Sequence, residues 1–233
     1  MKQLDNICVI IQARLGSQRI PQKMIKPFAG TTLFDLSIRK VLDSSFIPEE
    51  NFYVSVYEQE LIDIANNHGA NIFLRSEKSA TSEGTPMTDM YEWWDKLPFE
   101  YCVLVNGCTP FLETETIDGF VKAYMETDSD GLFGVMEKKN YFWNKDGVLQ
   151  TPWPESEACM NTKVVETTYE AAHCLYAGRM NTIKDGIWMG DFQTPGEIQL
   201  YPMEERECLD IDYPWQFELC ETLYLESLRK EIK

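Results

Sequence analysis

Between residues 7 and 135, short apolar runs rich in β-branched and aromatic residues alternate with segments of helical periodicity, and this rhythm leaves few folds open. The first run, Ile7 to Ile11, is apolar throughout, as a strand buried on both faces must be. Thr32-Leu-Phe-Asp35 then resembles a capping box, and Phe34, Ile38, Val41 and Leu42 keep helical spacing. The same reading predicts strands over 52–56, 71–74, 101–106 and 132–135, and helices over 59–67, 86–97 and 114–126. Strands alternating with helices specify an α/β fold with a mostly parallel central sheet covered on both faces. In such sheets ligands bind beyond the carboxyl ends of the strands, at a switch in strand order. After about residue 137 the rhythm breaks. An aromatic, Pro-containing stretch around 138–170 reads as an inserted lobe or a contact between copies of the chain. Strands over 173–177 and 198–201 and a last helix opened by Asp212-Tyr-Pro214 follow, so one domain over 1–233 is expected.

Charge narrows the partners. The chain carries a net charge of −17, which excludes a general affinity for nucleic acid or anionic membrane. The distribution is uneven. Residues 1–40 hold seven basic side chains against two acidic ones, a local charge of +5 that leaves −22 on the rest. Such an asymmetry points to a local anionic ligand. The seven cysteines form no CxxC pair, and several lie in apolar runs, so reduced, buried thiols and a cytoplasmic location are expected. No apolar stretch approaches the roughly 20 residues that cross a bilayer, and no secretory leader is evident.

The strongest local signal is Ala13-Arg14-Leu15-Gly16-Ser17-Gln18-Arg19-Ile20-Pro21-Gln22-Lys23, placed between a buried strand and a helix. Gly16 lets backbone amides approach a ligand, Ser17 adds a hydroxyl, and Arg14, Arg19 and Lys23 supply convergent charge suited to phosphate. Neither a P-loop nor a dinucleotide fingerprint fits this spacing. A second constellation is Leu209-Asp210-Ile211-Asp212. In extended chain the two carboxylates share one face, a suitable arrangement for a hard cation such as Mg²⁺. Asp212 equally suits the N-cap of the helix that follows it.

The stretch from Ile11 to Lys23 resembles the opening motif of the cytidylyltransferases that make CMP-activated sugar acids: the acylneuraminate and related nonulosonate enzymes, with the Kdo-activating enzymes as cousins. Leu74-Arg75 with Ala80, the loop Leu104-Val-Asn106-Gly-Cys-Thr109-Pro110, and Leu209-Asp210-Ile-Asp212 resemble further motifs of that family, so the likeness spans nearly the whole chain. The resemblance implies a three-layer, Rossmann-like nucleotidyltransferase fold, a homodimer, and Mg²⁺-dependent transfer of CMP from CTP to a small anionic acceptor with release of pyrophosphate. It assigns Arg14 and Lys23 to the triphosphate, with Arg19 as a helper, and Asp210 and Asp212 to the metal. Ala13, Gly16, Ser17, Arg75 and Ala80 frame the nucleotide. It places Asn106 and Tyr176 at the acceptor, with His173 and Trp188 nearby; Asn106 also suits a turn after its strand, and the aromatic pair also suits core packing. Departures fall mainly on the acceptor side. Met24 replaces an Asn, Ser82 an Asp, Leu112 an Arg, and Glu170-Ala-Ala-His173 replaces an Arg-Pro-Asn-Gly stretch. These motivate two alternatives: a cytidylyltransferase acting on a phosphate or phosphonate group, and a nucleotide-binding protein without catalysis.

Overall fold

The structure is a computed structural model, and it describes residues 1–81, 85–155 and 158–231. Strand β1 (Ile7–Gln12) is buried up to its last residue because it lies between two parallel neighbours, as its unbroken apolar run requires. Its side chains alternate between two cores. Ile7, Val9 and Ile11 join one, while Cys8 and Ile10 join the other. A hairpin of β2 (Pro27–Phe28) and β3 (Thr31–Thr32) turns through Ala29 and Gly30, both at positive φ, and feeds α1 (Leu33–Leu42). Thr32 caps α1 by accepting from the Asp35 amide at 3.1 Å, as the capping pattern predicts.

The chain continues through β4 (Phe52–Val56), α2 (Gln59–Asn67) and β5 (Asn71–Leu74), and later through β6 (Tyr101–Val105) and α4 (Thr114–Glu126). Strands β7 (Gly131–Lys138), β8 (Thr168–Arg179) and β9 (Ile198–Pro202) precede the last helix, α5 (Pro214–Glu231). Between β5 and β6 the described residues form one short α-helix, α3 (Met87–Met90). The seven-stranded sheet has the order β5-β4-β1-β6-β8-β7-β9, and among the described strands only β8 runs against the rest. The α/β fold with a mostly parallel sheet is therefore observed. Connections leave β1 and β6 toward opposite edges, so the carboxyl ends of these two neighbours form the switch point.

Two elements differ from expectation. The helix predicted over 86–97 is α3 followed by a single 3₁₀ turn, Glu92–Asp95, with a break at Tyr91. Tyr91 and Trp93 meet in a tilted contact with ring centroids 5.2 Å apart, and both rings also meet Trp188. Residues two apart point to opposite sides of an α-helix, so only a broken helix turns both rings to one side. Trp93 is fully buried and donates its indole N–H to Gln12 at 2.9 Å. Strand β8 is also much longer than the predicted 173–177. Its outer half pairs with β7 through exposed Thr168, Tyr169 and Glu170, where no apolar alternation marks a strand. Between β7 and β8 the described chain is mainly irregular, with an isolated bridge between Trp143 and Leu149 and one 3₁₀ turn, Thr162–Val164. Ser82 lies outside the described residues.

Candidate active site

The loop after β1 is held open by its neighbours. The Leu15 amide donates to the Glu58 carboxylate at 2.7 Å, and the Ala13 amide to the Ser55 carbonyl at 3.1 Å. A side chain at Gly16 would find no atom within 4 Å, so a ligand can approach the backbone there. Arg14 reaches the Ala80 carbonyl at 3.3 Å. Lys23, almost fully buried, donates to the Ile211 carbonyl and lies 3.6 Å from Asp212 Oδ1. Arg19 pairs with the same oxygen at 2.6 Å and covers the ring of Tyr213. Residues far apart in the chain thus converge: the cations of the first loop face the acids that precede α5. A cavity of about 540 Å³ opens between them, walled by Ala13, Arg14, Gly16, Ser17, Arg19, Lys23 and Asp212.

Asp212 does not cap α5. Its carboxylate faces Arg19 and Lys23, and the Gln216 side chain accepts instead from the amides of Asp212 and Tyr213, each at 2.8 Å. The segment is tied to the β6 loop by the Ile211 amide, which donates to the Cys108 carbonyl at 3.1 Å. Asp210 is the more unusual acid. Its Oδ1 is buried and has no hydrogen-bond partner. Burial pushes its carboxyl above the ordinary carboxylate range; Lys23, His173 and Asn106 oppose that shift, and Asp212 adds to it.

Arg75 and Ala80 lie beside this cavity rather than in its wall. Arg75 is buried, donates to the Ser79 carbonyl at 3.0 Å, and leaves its Nε without a partner. Burial lowers its pKa to about 10, although Glu58 draws it upward. Arg75 and Arg14 thereby hold the 79–80 segment from two sides. Met24, which replaces an expected polar residue, is buried against the β6 loop, with its sulfur 3.7 Å from Cys108 Sγ. A side chain at Gly107 would strike the Met24 methyl at 2.8 Å, so the small residue and the large one fit each other.

A second cavity, of about 650 Å³, meets the first at Gln12, which lines both. Asn106 and Tyr176 stand at its polar end. Asn106 forms the turn anticipated for it: its Oδ1 accepts from the Cys108 amide at 2.9 Å, and its Nδ2 donates to the His173 carbonyl at 2.8 Å. His173 sits at φ 55°, in the left-handed region, where β8 slips its register against β7 between Phe133 and Val135. That backbone favours glycine, which accounts for the small residue usual at this position in the resembled family. The exposed His173 ring lies 3.0 Å from the Tyr176 hydroxyl. Trp188 is buried, and the Nε1 edge of its ring lies against Gly178. Sequence reasoning gave no role to Gln12, although it stands within the Ile11-to-Lys23 motif as the polar residue that ends an apolar strand. It also missed the apolar wall made by Met87, Tyr91, Leu104, Ile187, Met189 and Phe192.

Residues 8–231 match the model of the family described as Cytidylyltransferase. The chain is 26% identical over 133 residues to the spore coat polysaccharide biosynthesis protein SpsF of Bacillus subtilis, covering 54% of this chain and 53% of that protein. It is 25% identical to N-acylneuraminate cytidylyltransferase A of Danio rerio, covering 89% of this chain and 48% of that protein. The chain thus spans about half the length of these curated relatives. Against the pseudaminic acid cytidylyltransferase of Campylobacter jejuni the match is 23% identical and covers 95% and 97% of the two chains. Among solved structures, a CMP-2-keto-3-deoxy-manno-octonic acid synthetase complexed with CTP superposes with a TM-score of 0.66 at 12% identity, covering 95% of this chain and 99% of that one. The 4-diphosphocytidyl-2C-methyl-D-erythritol synthase of Anaerococcus prevotii gives 0.67 at 16% identity, covering 96% and 98%. These likenesses confirm the fold, and the family match over residues 8–231 shows that this chain belongs to the cytidylyltransferase family.

Proposed function

We propose that the chain transfers CMP from CTP to the anomeric hydroxyl of an acidic sugar of the nonulosonic type and releases pyrophosphate. The observation that carries this reading is the convergence of Arg19 and Lys23 with Asp212 at one cavity, joined through Gln12 to a second one, while Asp210 lines neither cavity but interacts electrostatically with Lys23 and Asp212. Transfer of this kind relies on positioning and charge neutralisation. Arg14 and Lys23 bind the triphosphate, and Arg19 exchanges its Asp212 partner for a phosphate oxygen. The acceptor oxygen, brought in from the second cavity, attacks the α-phosphorus in line as the bond to pyrophosphate breaks. Ala13, Gly16, Ser17, Arg75 and Ala80 frame the nucleotide, and Asn106, His173, Tyr176 and Trp188 frame the acceptor.

Asp210 and Asp212 are the residues that would hold Mg²⁺. The unpartnered, buried Asp210 oxygen suits a cation ligand, and Mg²⁺ commonly takes one or two carboxylates and completes its sphere with phosphate and water. Bound there, the ion would neutralise phosphate charge and lower the pKa of the attacking hydroxyl. A phosphate or phosphonate acceptor fits less well, because no Lys or Arg among the described residues lines the second cavity.

The wider reading is one catalytic domain in a reducing cytoplasm, supported by the seven free cysteines. No helix among the described residues is long and apolar enough to cross a membrane. It includes a homodimer that uses the 138–170 segment, supported by the exposed Phe142, Trp143, Val148 and Trp153. Pyrophosphate release from CTP and Mg²⁺, screened over eight- and nine-carbon keto-acid sugars and over phosphate acceptors, tests the activity. Lys23→Ala and Asp212→Ala are expected to abolish it in folded protein; wild-type turnover in both overturns the site assignment. Light scattering of the wild type and of Trp143→Ser tests the dimer.

A further inference from the structure

Arg19 lines the first cavity and is held there by two neighbours in different ways. Its Nη2 edge pairs with Asp212 Oδ1 at 2.6 Å, while its face lies over the ring of Tyr213, with the guanidinium carbon 4.9 Å from the ring centroid. The Tyr213 hydroxyl is a further hydrogen-bond partner of the guanidinium. Tyr213 is in turn fixed by the start of α5. Pro214 restricts the backbone of the residue before it, and the Tyr213 carbonyl accepts from the Gln216 and Phe217 amides at 3.0 and 3.1 Å. The Tyr213 amide donates to the Gln216 side chain at 2.8 Å. Arg19 and Tyr213 are both half-exposed, whereas Lys23, which faces the same Asp212 oxygen at 3.6 Å, is buried and tied to the Ile211 carbonyl. Of the two cations on Asp212, Arg19 is the one free to change partner.

A guanidinium donates through its N–H edge and stacks through its face, so the two contacts do not compete. Resting on the cytidylyltransferase reading above, we infer that Tyr213 is a positioning residue for Arg19: its ring keeps the guanidinium at the cavity while the N–H edge exchanges Asp212 for a phosphate oxygen of CTP. Without the ring, an arginine released from Asp212 regains the freedom of a long, exposed side chain, and CTP must order it again. Tyr213 does not line the cavity, so its effect passes through Arg19.

The test is CTP affinity by calorimetry in the presence of Mg²⁺, on the wild type, Tyr213→Leu, Tyr213→Phe, Arg19→Gln and the double variant that combines Arg19→Gln with Tyr213→Leu. Tyr213→Leu is expected to raise the Kd for CTP about three-fold, the worth of one exposed cation–π contact, and Tyr213→Phe, which keeps the ring face, to recover most of that loss. In the Arg19→Gln background Tyr213→Leu is expected to cost nothing further, a coupling that a merely structural role would not produce. Calorimetry reads the folded fraction as stoichiometry, so a loss of folded protein does not pass for a change in Kd. An unchanged Kd in Tyr213→Leu, or losses that multiply in the double variant, overturns the inference. A Tyr213→Phe variant as weak as Tyr213→Leu overturns the assignment to the ring face. Each of these results leaves the transferase reading intact. If the wild type neither binds CTP nor releases pyrophosphate from it, that reading fails and the inference falls with it.

Discussion

Arg19 and Asp212, 193 positions apart in the chain, meet at 2.6 Å, and this pair closes the candidate site across the carboxyl edge of the sheet. Both side chains keep substantial exposure, so the pair contributes little to stability and exchanges partners readily. Lys23 differs: it is buried, and it holds the Ile211 carbonyl as well as facing Asp212. Arg19→Gln is therefore expected to leave the urea midpoint unchanged and to raise the KM for CTP roughly ten-fold, the value of about one charged contact. Lys23→Met is expected to lower kcat by about 100-fold or more. Steady-state kinetics on both variants checks the division. Equal effects of the two substitutions on KM and kcat would remove the distinction drawn between them.

Asp210 holds an unpartnered carboxylate oxygen in a buried place, an arrangement that costs folding energy. Because burial raises its folded-state pKa above the unfolded value, the cost is absent at low pH, grows as pH rises from the unfolded value of about 3.9 toward the folded one, and is constant above it. Asp210→Asn is expected to stabilise the cation-free protein by about 1 kcal/mol at neutral pH while abolishing CMP transfer. Urea denaturation with and without Mg²⁺ reads the first effect. The wild type should gain stability with the ion, and the variant should gain little.

How much of this was legible in the sequence depends on where the signal resides. The loop from Ala13 to Lys23 and the pair Asp210 and Asp212 declare themselves locally, through charge density after an apolar strand and through period-two alternation. Their meeting follows from the parallel sheet, which collects loop ends at one edge. The apolar wall of the second cavity was not legible, since Met87, Tyr91, Ile187 and Met189 sit in segments without periodicity and become a wall only when Trp93 and Trp188 pack together. Tyr91 breaks its helix for a tertiary reason, the shared orientation of its ring with that of Trp93. His173 gives no hint in its neighbours that its backbone must be left-handed; the register slip between β7 and β8 imposes that.

Gly178 matters because of what lies on it. A side chain there would stand 2.4 Å from the Trp188 carbonyl and 2.7 Å from its ring, and Gly131 on β7 receives Met189 in the same way. The loop that walls the second cavity therefore rests directly on strand backbone. Gly178→Ala is expected to destabilise the protein by about 2 kcal/mol and to raise the acceptor KM at least ten-fold, with CTP affinity by calorimetry retained. Loss of CTP binding together with acceptor turnover in a folded variant would show that the two cavities are not separable in this way.

Lys40 supplies the pH dependence. Its ammonium is partly buried near the end of α1, donating to the Thr109 and Pro110 carbonyls at 3.2 and 2.5 Å, in the β6 loop whose Cys108 carbonyl anchors Ile211. Burial lowers its pKa to about 7, although Glu207 and Glu113 draw it upward. The unfolded chain keeps this group protonated to about pH 10.4, so above pH 7 the unfolded state binds more protons and stability rises with pH. The gain from this group is about 1.4 kcal/mol between pH 6 and pH 8. The buried thiols of Cys8 and Cys102, raised by burial, act with the opposite sign, but only as pH rises through the ordinary cysteine range near 8.5. Comparing wild type with Lys40→Met by urea denaturation at pH 6, 7 and 8 isolates the lysine. The variant should lose the upward slope, and an identical slope in both proteins would assign the dependence to other groups.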